Sequence, residues 1–364
     1  MTRVIGVDPG TLSFGLCGLE DGRVFLELSI STEDAARTPS LIVDHLTRAL
    51  PLDLVAAPSG YGLPLIPVAQ ITDDQLNLFI LVREDQRSQP EMVGGLREMV
   101  ELMRRRQLPA VILPGVIHLA TVPAYRKVNR IDMGTADKLC VAALAIWDQA
   151  GRLGLPPERT SFILVELGGA FMAALAVDGG RIVDGIGGSS GGLGYRALGA
   201  LDGEVAYSLG RVSKSALFTG GAVFIAGDPE LPPESFAERA GADPRVRIAW
   251  DALLESTEKM VAALRISLPA PREVLLSGRL SRVPAIAAAL ATRLKRVAPV
   301  HPVTGFASSS KEAAQGAALI ADGLAGGSNR ALVETMALRD SRGTVLDHLY
   351  VAGSDAVRGQ FGMR

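Results

Sequence analysis

The chain has 364 residues, 48% of them hydrophobic, and a formal net charge of −2. Domains of roughly 100–200 residues are the norm, so this length accommodates two, each with an ample core. The near-neutral charge excludes the basic surfaces that bind nucleic acid or anionic membrane, and no apolar run approaches the ~20 residues of a membrane-crossing helix.

The first element lies at the N-terminus. Residues 3–24, RVIGVDPGTLSFGLCGLEDGRV, read as an apolar strand ending in Asp8, a turn with Gly10 and Thr11, a second apolar strand, and the hairpin turn Glu20-Asp21-Gly22-Arg23. Asp, Pro and Gly come too early for the apolar region of a secretory signal, so a cytoplasmic protein is expected. Cys17 and Cys140 are too few for a disulfide framework and read as small buried groups.

Helical spacing follows over 39–50, then a strand over 53–57 and a loop over 58–64 that holds Ser59 and Tyr61. A helix is predicted over 91–107 and a strand over 110–113. A loop with Arg126, Lys127 and Arg130 leads to Asp132, and the cations beside this acid suggest an anion site. The next apolar pattern, from Ala136, is helical and is expected to end at Gly151.

Residues 161–182, SFILVELGGAFMAALAVDGGRI, then repeat the first unit without a gap. Glu166 stands for Asp8, Gly168 for Gly10, and Asp178-Gly179-Gly180-Arg181 for the first turn. Asp-Gly and Gly-Gly between apolar runs favour hairpins, because both turn positions need positive φ. A duplicated unit predicts two lobes of similar topology. It also predicts one function used twice: a glycine turn presents N–H groups to phosphate oxygens, and the neighbouring carboxylate holds Mg²⁺, usually through water.

In the second half, helices are predicted over 250–267, 283–297 and 311–324, the last containing Gly316. A short strand over 273–276 ends in Ser277-Gly278-Arg279, and one short helix is expected within 325–364. Strands alternating with helices give an α/β class. Other chemistries fit less well. No Gly-Lys-Ser/Thr phosphate loop occurs. Gly192, Gly194 and Ala197 match a dinucleotide fingerprint only loosely, and Gly188-Ser189-Ser190-Gly191-Gly192 lacks the strand–elbow–helix context of a hydrolase nucleophile. The four histidines are scattered, without metal-ligand spacing.

Together these pieces resemble the superfamily of actin, Hsp70 and the sugar and acetate kinases. VIGVDPGT (4–11) resembles its first phosphate motif, 165–188 its second, and VLLSGRLSRVP (274–284) its adenosine motif; the helices from Ala136 and over 311–321 resemble its two connecting helices. Within the superfamily, GGRIVDGIGGSSGG (179–192) resembles butyrate kinase, and more narrowly an uncharacterised group of predicted butyrate kinases. The chain departs from acetate and butyrate kinases in having Asp8 where they have Asn, and Val165-Glu166 where they have His.

The resemblance implies a two-lobed, internally duplicated actin-like ATPase fold with a nucleotide cleft. Lobe I would be residues 1–133 completed by 325–364, and lobe II residues 134–324. It implies ATP and Mg²⁺ as cofactors, with Asp8 and Glu166 at the metal. Nucleotide contacts would come from Gly10, Thr11, Gly168, Gly169, Gly188, Ser277, Gly278, Arg279 and Gly316. It implies Asp132 as a catalytic acid and Ser59, Tyr61, Arg126 and Arg130 around a small acceptor, first of all a short carboxylic acid. A homodimer is compatible with it. A sugar or polyol kinase and a nucleotide-driven conformational switch are the alternatives, since fold alone does not fix function.

Overall fold

The computed structural model describes residues 1–10, 13–38, 40–57, 60–83 and 90–363. Two sheets organise them. The first contains β1 (Arg3–Pro9), β2 (Ser13–Glu20), β3 (Arg23–Ser31), β4 (Leu54–Ala57), β5 (Ile66–Pro67) and β6 (Ala110–Ile112), in the order β3-β2-β1-β4-β6-β5. The second contains β7 (Ser161–Leu167), β8 (Met172–Asp178), β9 (Arg181–Ile186), β10 (Glu273–Ser277) and β11 (Val300–Pro302), in the order β11-β10-β7-β8-β9. In both, three antiparallel strands continue into parallel ones: β4 lies beside β1, and β10 beside β7.

The repeat extends to the register. Arg3 faces Glu20 as Ser161 faces Asp178, and a bulge falls between Gly18 and Leu19 and, at the equivalent place, between Ala176 and Val177. Both hairpin turns take consecutive positive φ, at 47° and 76° for Asp21 and Gly22 and at 56° and 67° for Gly179 and Gly180. Such turns carry the twist of the strands they join.

β7 is apolar on both faces because a separate core covers each. Phe162 and Leu164 point into the core shared with the first sheet, and Ile163 and Val165 into a second core with Leu253, Val261 and Ile286. The alternation follows from the two-residue period of a strand. Truncating such a residue, Leu164→Ala for example, costs about 2–5 kcal/mol.

Two helices, Ala136–Leu153 and Glu312–Leu324, pack on each other and belong largely to the first core. They cross so closely that a Cβ on Gly316 would lie 1.8 Å from the Cys140 carbonyl oxygen. Gly316→Val would force them apart. The second helix also presses on the first sheet, where a Cβ on Gly6 would lie 2.2 Å from Ala318 N.

Several boundaries differ from expectation. The helix from Ala136 passes through Gly151 and stops at Gly154, whose left-handed φ of 62° directs its N–H back to Ala150 and Gly151. A surface glycine inside a helix costs only about 1 kcal/mol, whereas the left-handed cap position favours glycine strongly. The helix expected from Trp250 begins at Pro244, capped by Asp243, whose carboxylate accepts from Arg245 N at 2.8 Å. The helix expected over 283–297 spans Pro284–Leu294.

Residues 203–242 hold helices Gly203–Leu209, Ala222–Ala226 and Pro233–Ala242 and a single 3₁₀ turn, Lys214–Phe218, none of them foreseen. They sit between β9 and β10, where the first half has only residues 32–53 between β3 and β4. Beyond the second long helix, Arg330–Met336 returns to the first core through Leu332, Val333 and Met336. Buried Asp322 fixes this return, accepting from Thr2 Oγ1 at 2.7 Å and from Asn329 N at 2.9 Å. No helix of the described residues is long and apolar enough to cross a membrane.

Candidate active site

The β1–β2 and β7–β8 connections carry the same glycine hydrogen bond. Gly10 N donates to Ser13 O at 3.0 Å, and Gly168 N donates to Phe171 O at 3.0 Å. A Cβ on Gly168 would meet Phe171 O at 2.7 Å and the Glu166 carboxylate at 3.4 Å, so a side chain there would fill the space beside the acid. Thr11 lies outside the described residues, and Gly169 follows Gly168 in the turn.

β10 brings the adenosine motif to the same place. Ser277 pairs in register with Glu166. Gly278 follows at φ 87°, and a Cβ on it would come within 2.8 Å of Glu166 Oε1. Arg279, next in sequence, is exposed. Ser277 Oγ is buried without a hydrogen-bond partner, and Glu166 Oε2 beside it is answered by the Lys138 ammonium. Buried polar atoms are nearly always satisfied, so the Ser277 hydroxyl marks a place prepared for a ligand.

Charge is supplied by the two long helices. Lys138, in the first turn of Ala136–Leu153, places its ammonium 2.7 Å from Asp137 Oδ2 and 2.8 Å from Glu166 Oε2, the latter without hydrogen-bond alignment. Lys311, which precedes Glu312–Leu324, lies 3.6 Å from Asp8 Oδ2 and donates to Ser13 O. Each helix follows one half's sheet and gives its lysine to the other half's acid.

Burial raises Asp8 to about 6 against the pull of Lys311, and raises Glu166 to about 7 against that of Lys138. Burial also pushes Asp137 up, but Lys138 and the Thr135 hydroxyl more than offset it and hold Asp137 low. For Lys138 burial acts downward, and Asp137 and Glu166 together hold it above its ordinary value.

Asp137, Lys138 and Lys311 were not among the candidates from sequence. The available signal was positional: a lysine at the start of each connecting helix, mirrored in the two halves. Among the described residues, no group of three or more acids, histidines or cysteines could cage a metal. The site instead suits Mg²⁺, which is held by one or two carboxylates, phosphate oxygens and water; Asp8, Glu166 and the orphan Ser277 hydroxyl are the fitting donors. Among the described residues, two surface concavities lie away from these acids, one along Arg97–Arg105 and one around Gly323–Arg339.

Asp132 is buried, and its carboxylate accepts from Gly134 N at 3.0 Å, Ser189 N at 3.0 Å and Ser189 Oγ at 3.2 Å. It thereby pins the loop after β9, where Gly188 packs against the Phe171 ring. Burial raises the Tyr61 phenol, Asp132 adds to the rise, and the Ser189 hydroxyl bonds to it in opposition. Ser59 lies outside the described residues.

The remaining candidates are placed as follows. Arg126 donates to Val183 O at 2.7 Å and faces Asp184 at 3.9 Å, and buried Lys127 donates to Leu119 O at 2.8 Å; both cations are committed to structure. Arg130 is exposed, 3.4 Å from Ser190 O. Gly316 is the crossing point of the two helices, and its backbone faces Cys140 rather than a nucleotide.

A family model described as "Protein of unknown function (DUF1464)" matches residues 6–351. No curated protein matches the chain in sequence. Among solved structures it is similar to acetate kinase from Porphyromonas gingivalis, with a TM-score of 0.59 and 12% identity over 87% of this chain and 98% of that one. It is similar to a propionate kinase from Francisella tularensis, with a TM-score of 0.59 and 13% identity over 87% and 99%. It is similar to acetate kinase from Entamoeba histolytica, with a TM-score of 0.57 and 12% identity over 81% and 87%. At such identities the likeness is one of fold: the two-lobed, actin-like fold of the actin, Hsp70 and sugar/acetate kinase superfamily.

Proposed function

The chain belongs to the DUF1464 family, and from its cleft we propose that it is an ATP-dependent phosphotransferase acting on a small molecule. The observation that carries this reading is the pair of equivalent glycine turns, each beside a buried acid faced by a lysine at the start of one of the two long helices. Phosphoryl transfer asks a protein mainly for positioning and charge neutralisation, and these parts provide both. We take lobe I as residues 1–133 with 325–364 and lobe II as 134–324.

The amides around Gly10 and Thr11 and around Gly168 and Gly169 hold phosphate oxygens. Lys138 and Lys311 balance phosphate charge. Asp8 and Glu166 would hold Mg²⁺, directly or through its waters. When bound, Mg²⁺ supplies Lewis-acid neutralisation of charge developing on the transferred group. Ser277, Gly278 and Arg279 border the adenosine. Closure of the lobes keeps out water, which competes as an acceptor.

A short carboxylic acid is the acceptor we favour, on the resemblance to butyrate kinase and the kinship of fold with acetate and propionate kinases. An ionised acceptor requires no general base. Asp132, whose oxygens already accept from two amides and a hydroxyl, suits the orienting role this leaves. The test is to incubate the protein with Mg²⁺ and ATP against short-chain acids, sugars and polyols, trapping acyl phosphate with hydroxylamine. Acyl hydroxamate is expected. A phosphorylated sugar or polyol instead would make Asp132 a general base. Hydrolysis with no phosphorylated product would make the protein a nucleotide-driven switch.

A further inference from the structure

Arg126 and Lys127 donate to backbone carbonyls, and Arg130 is exposed beside Ser190 O. A further, less exposed cation faces Tyr61 from the unforeseen segment between β9 and β10. Lys214 opens the turn Lys214–Phe218, and its ammonium lies 4.9 Å above the centre of the Tyr61 ring. Asp132, which accepts from the Ser189 hydroxyl at 3.2 Å, acts on both side chains: its charge raises the Tyr61 phenol and holds Lys214 up against burial. Lys214 therefore stands within electrostatic reach of the acid of the acceptor site.

The segment is fixed at both ends. At its base Ala197 bridges to Gly220, and the Phe218 ring meets Phe171 of the second phosphate turn edge-on at 5.2 Å. At its tip Lys214 crosses to the first half and donates to Ile80 O at 3.1 Å and Leu81 O at 2.9 Å. These carbonyls end the helix Asp73–Ile80, where unpaired carbonyls and the helix dipole attract a cation. An ammonium has three N–H donors, so two hold the cap and one remains. Burial lowers Lys214 to about 8 while Asp132 opposes the fall, so the side chain carries charge at neutral pH.

We propose that Lys214 is the specificity-determining residue of the acceptor site, its free N–H and charge selecting an anionic acceptor while its other two bonds hold the segment across the cleft. The inference rests on the carboxylate-kinase reading and names the residue that makes the site prefer an acid. Arginine would retain the charge and the cap. Methionine would retain only the apolar stem.

The probes are butyrate and its neutral isostere butyramide, titrated by saturation-transfer NMR into protein with Mg²⁺ and a non-hydrolysable ATP analogue. Wild type should prefer butyrate by about tenfold or more, the scale on which a partly buried charge discriminates. Lys214→Met should bring the two ligands to within about twofold, and Lys214→Arg should retain most of the preference. A residue that only caps the helix would lower the melting temperature in Lys214→Met and leave the preference unchanged, and that result overturns the inference while sparing the carboxylate reading. Lack of preference in nucleotide-loaded wild type would overturn that reading and the inference with it. Failure of wild type to bind the ATP analogue, checked by calorimetry, would overturn the phosphotransferase reading and everything built on it.

Discussion

The glycine connections after β1 and after β7 share the same 3.0 Å bond from glycine to the residue three further on and differ in what surrounds them. At the first, Asp8 faces Lys311 at 3.6 Å, and 30% of that lysine side chain is exposed. At the second, Glu166 faces Lys138 at 2.8 Å, with Asp137 on the same ammonium and 13% of the lysine side chain exposed. Duplication thus preserved the hairpin and let the charges diverge. Both lysines come from the two long helices, which belong largely to the first core: Lys311 meets an acid of the sheet its own helix presses on, whereas Lys138 reaches Glu166 of the second sheet.

The sharpest way to break that comparison is to remove each lysine in turn. Lys138→Met strands buried Glu166 and half-buried Asp137, and removing one partner from a buried ion pair costs about 3–5 kcal/mol. Lys311→Met leaves one acid at a more open position, and its cost should be nearer 1 kcal/mol. Urea unfolding of both variants measures the difference; equal losses would show that the two turns are electrostatically alike after all.

The next largest effect is on the nucleotide. Gly168→Val places its side chain against a fixed carbonyl, Phe171 O at 2.7 Å, whereas the nearest atom to a Cβ on Gly10 is the movable Lys311 ammonium at 2.5 Å. Calorimetry should find ATP affinity about a hundredfold weaker in Gly168→Val, or ~2.7 kcal/mol. Gly10→Ala should lose about tenfold or less, ~1.4 kcal/mol. Affinity unchanged in Gly168→Val would move the nucleotide away from the second turn.

How much of this was legible in the sequence follows from the range of the interactions. Hairpins are local, so Asp21-Gly22 and Gly179-Gly180 announced the repeat, and the ungapped alignment carried the register down to the shared bulge. The cap at Gly154 and the helix start at Pro244 were local too, but an earlier glycine at 151 and a later aromatic at 250 competed with them. Lys138 and Lys311 acquire meaning only through partners far along the chain, Glu166 and Asp8. Arg126 looked like an anion ligand because it stood near Asp132 in sequence, yet a carbonyl of β9 holds it. Residues 203–242 have no periodicity that sets them apart, so Lys214 became visible only where the segment touches the first half.

The smallest effect tests the acid at the first turn by pH. Asp8 has a folded-state value of about 6, raised by burial from 3.8, with Lys311 opposing. Between these two values the folded protein binds more protons than the unfolded chain, so stability falls as pH rises through that window and then levels off. Glu166, raised from 4.5 to about 7, adds a second fall that ends slightly higher. Asp8→Asn keeps the size of the side chain and cannot ionise, so it removes the first fall and leaves the second. At pH 8 the ligand-free variant should therefore be more stable than wild type by about 1–2 kcal/mol, since one unit of pKa is worth about 1.4 kcal/mol and an amide reproduces a neutral acid only in part. Near pH 4, where Asp8 is neutral in the folded protein, the variant should be the less stable of the two by about 1–2 kcal/mol, the part of the acid's interactions that the amide does not reproduce. Saturating Mg²⁺ and ATP should reverse the order at pH 8, because wild type gains a metal ligand that the variant lacks. Paired melting curves at pH 4 and 8, with and without nucleotide, give all four values. A variant less stable than wild type at pH 8 without nucleotide would show that Lys311 stabilises the charged acid more than burial penalises it, and the first turn would then be an ordinary ion pair.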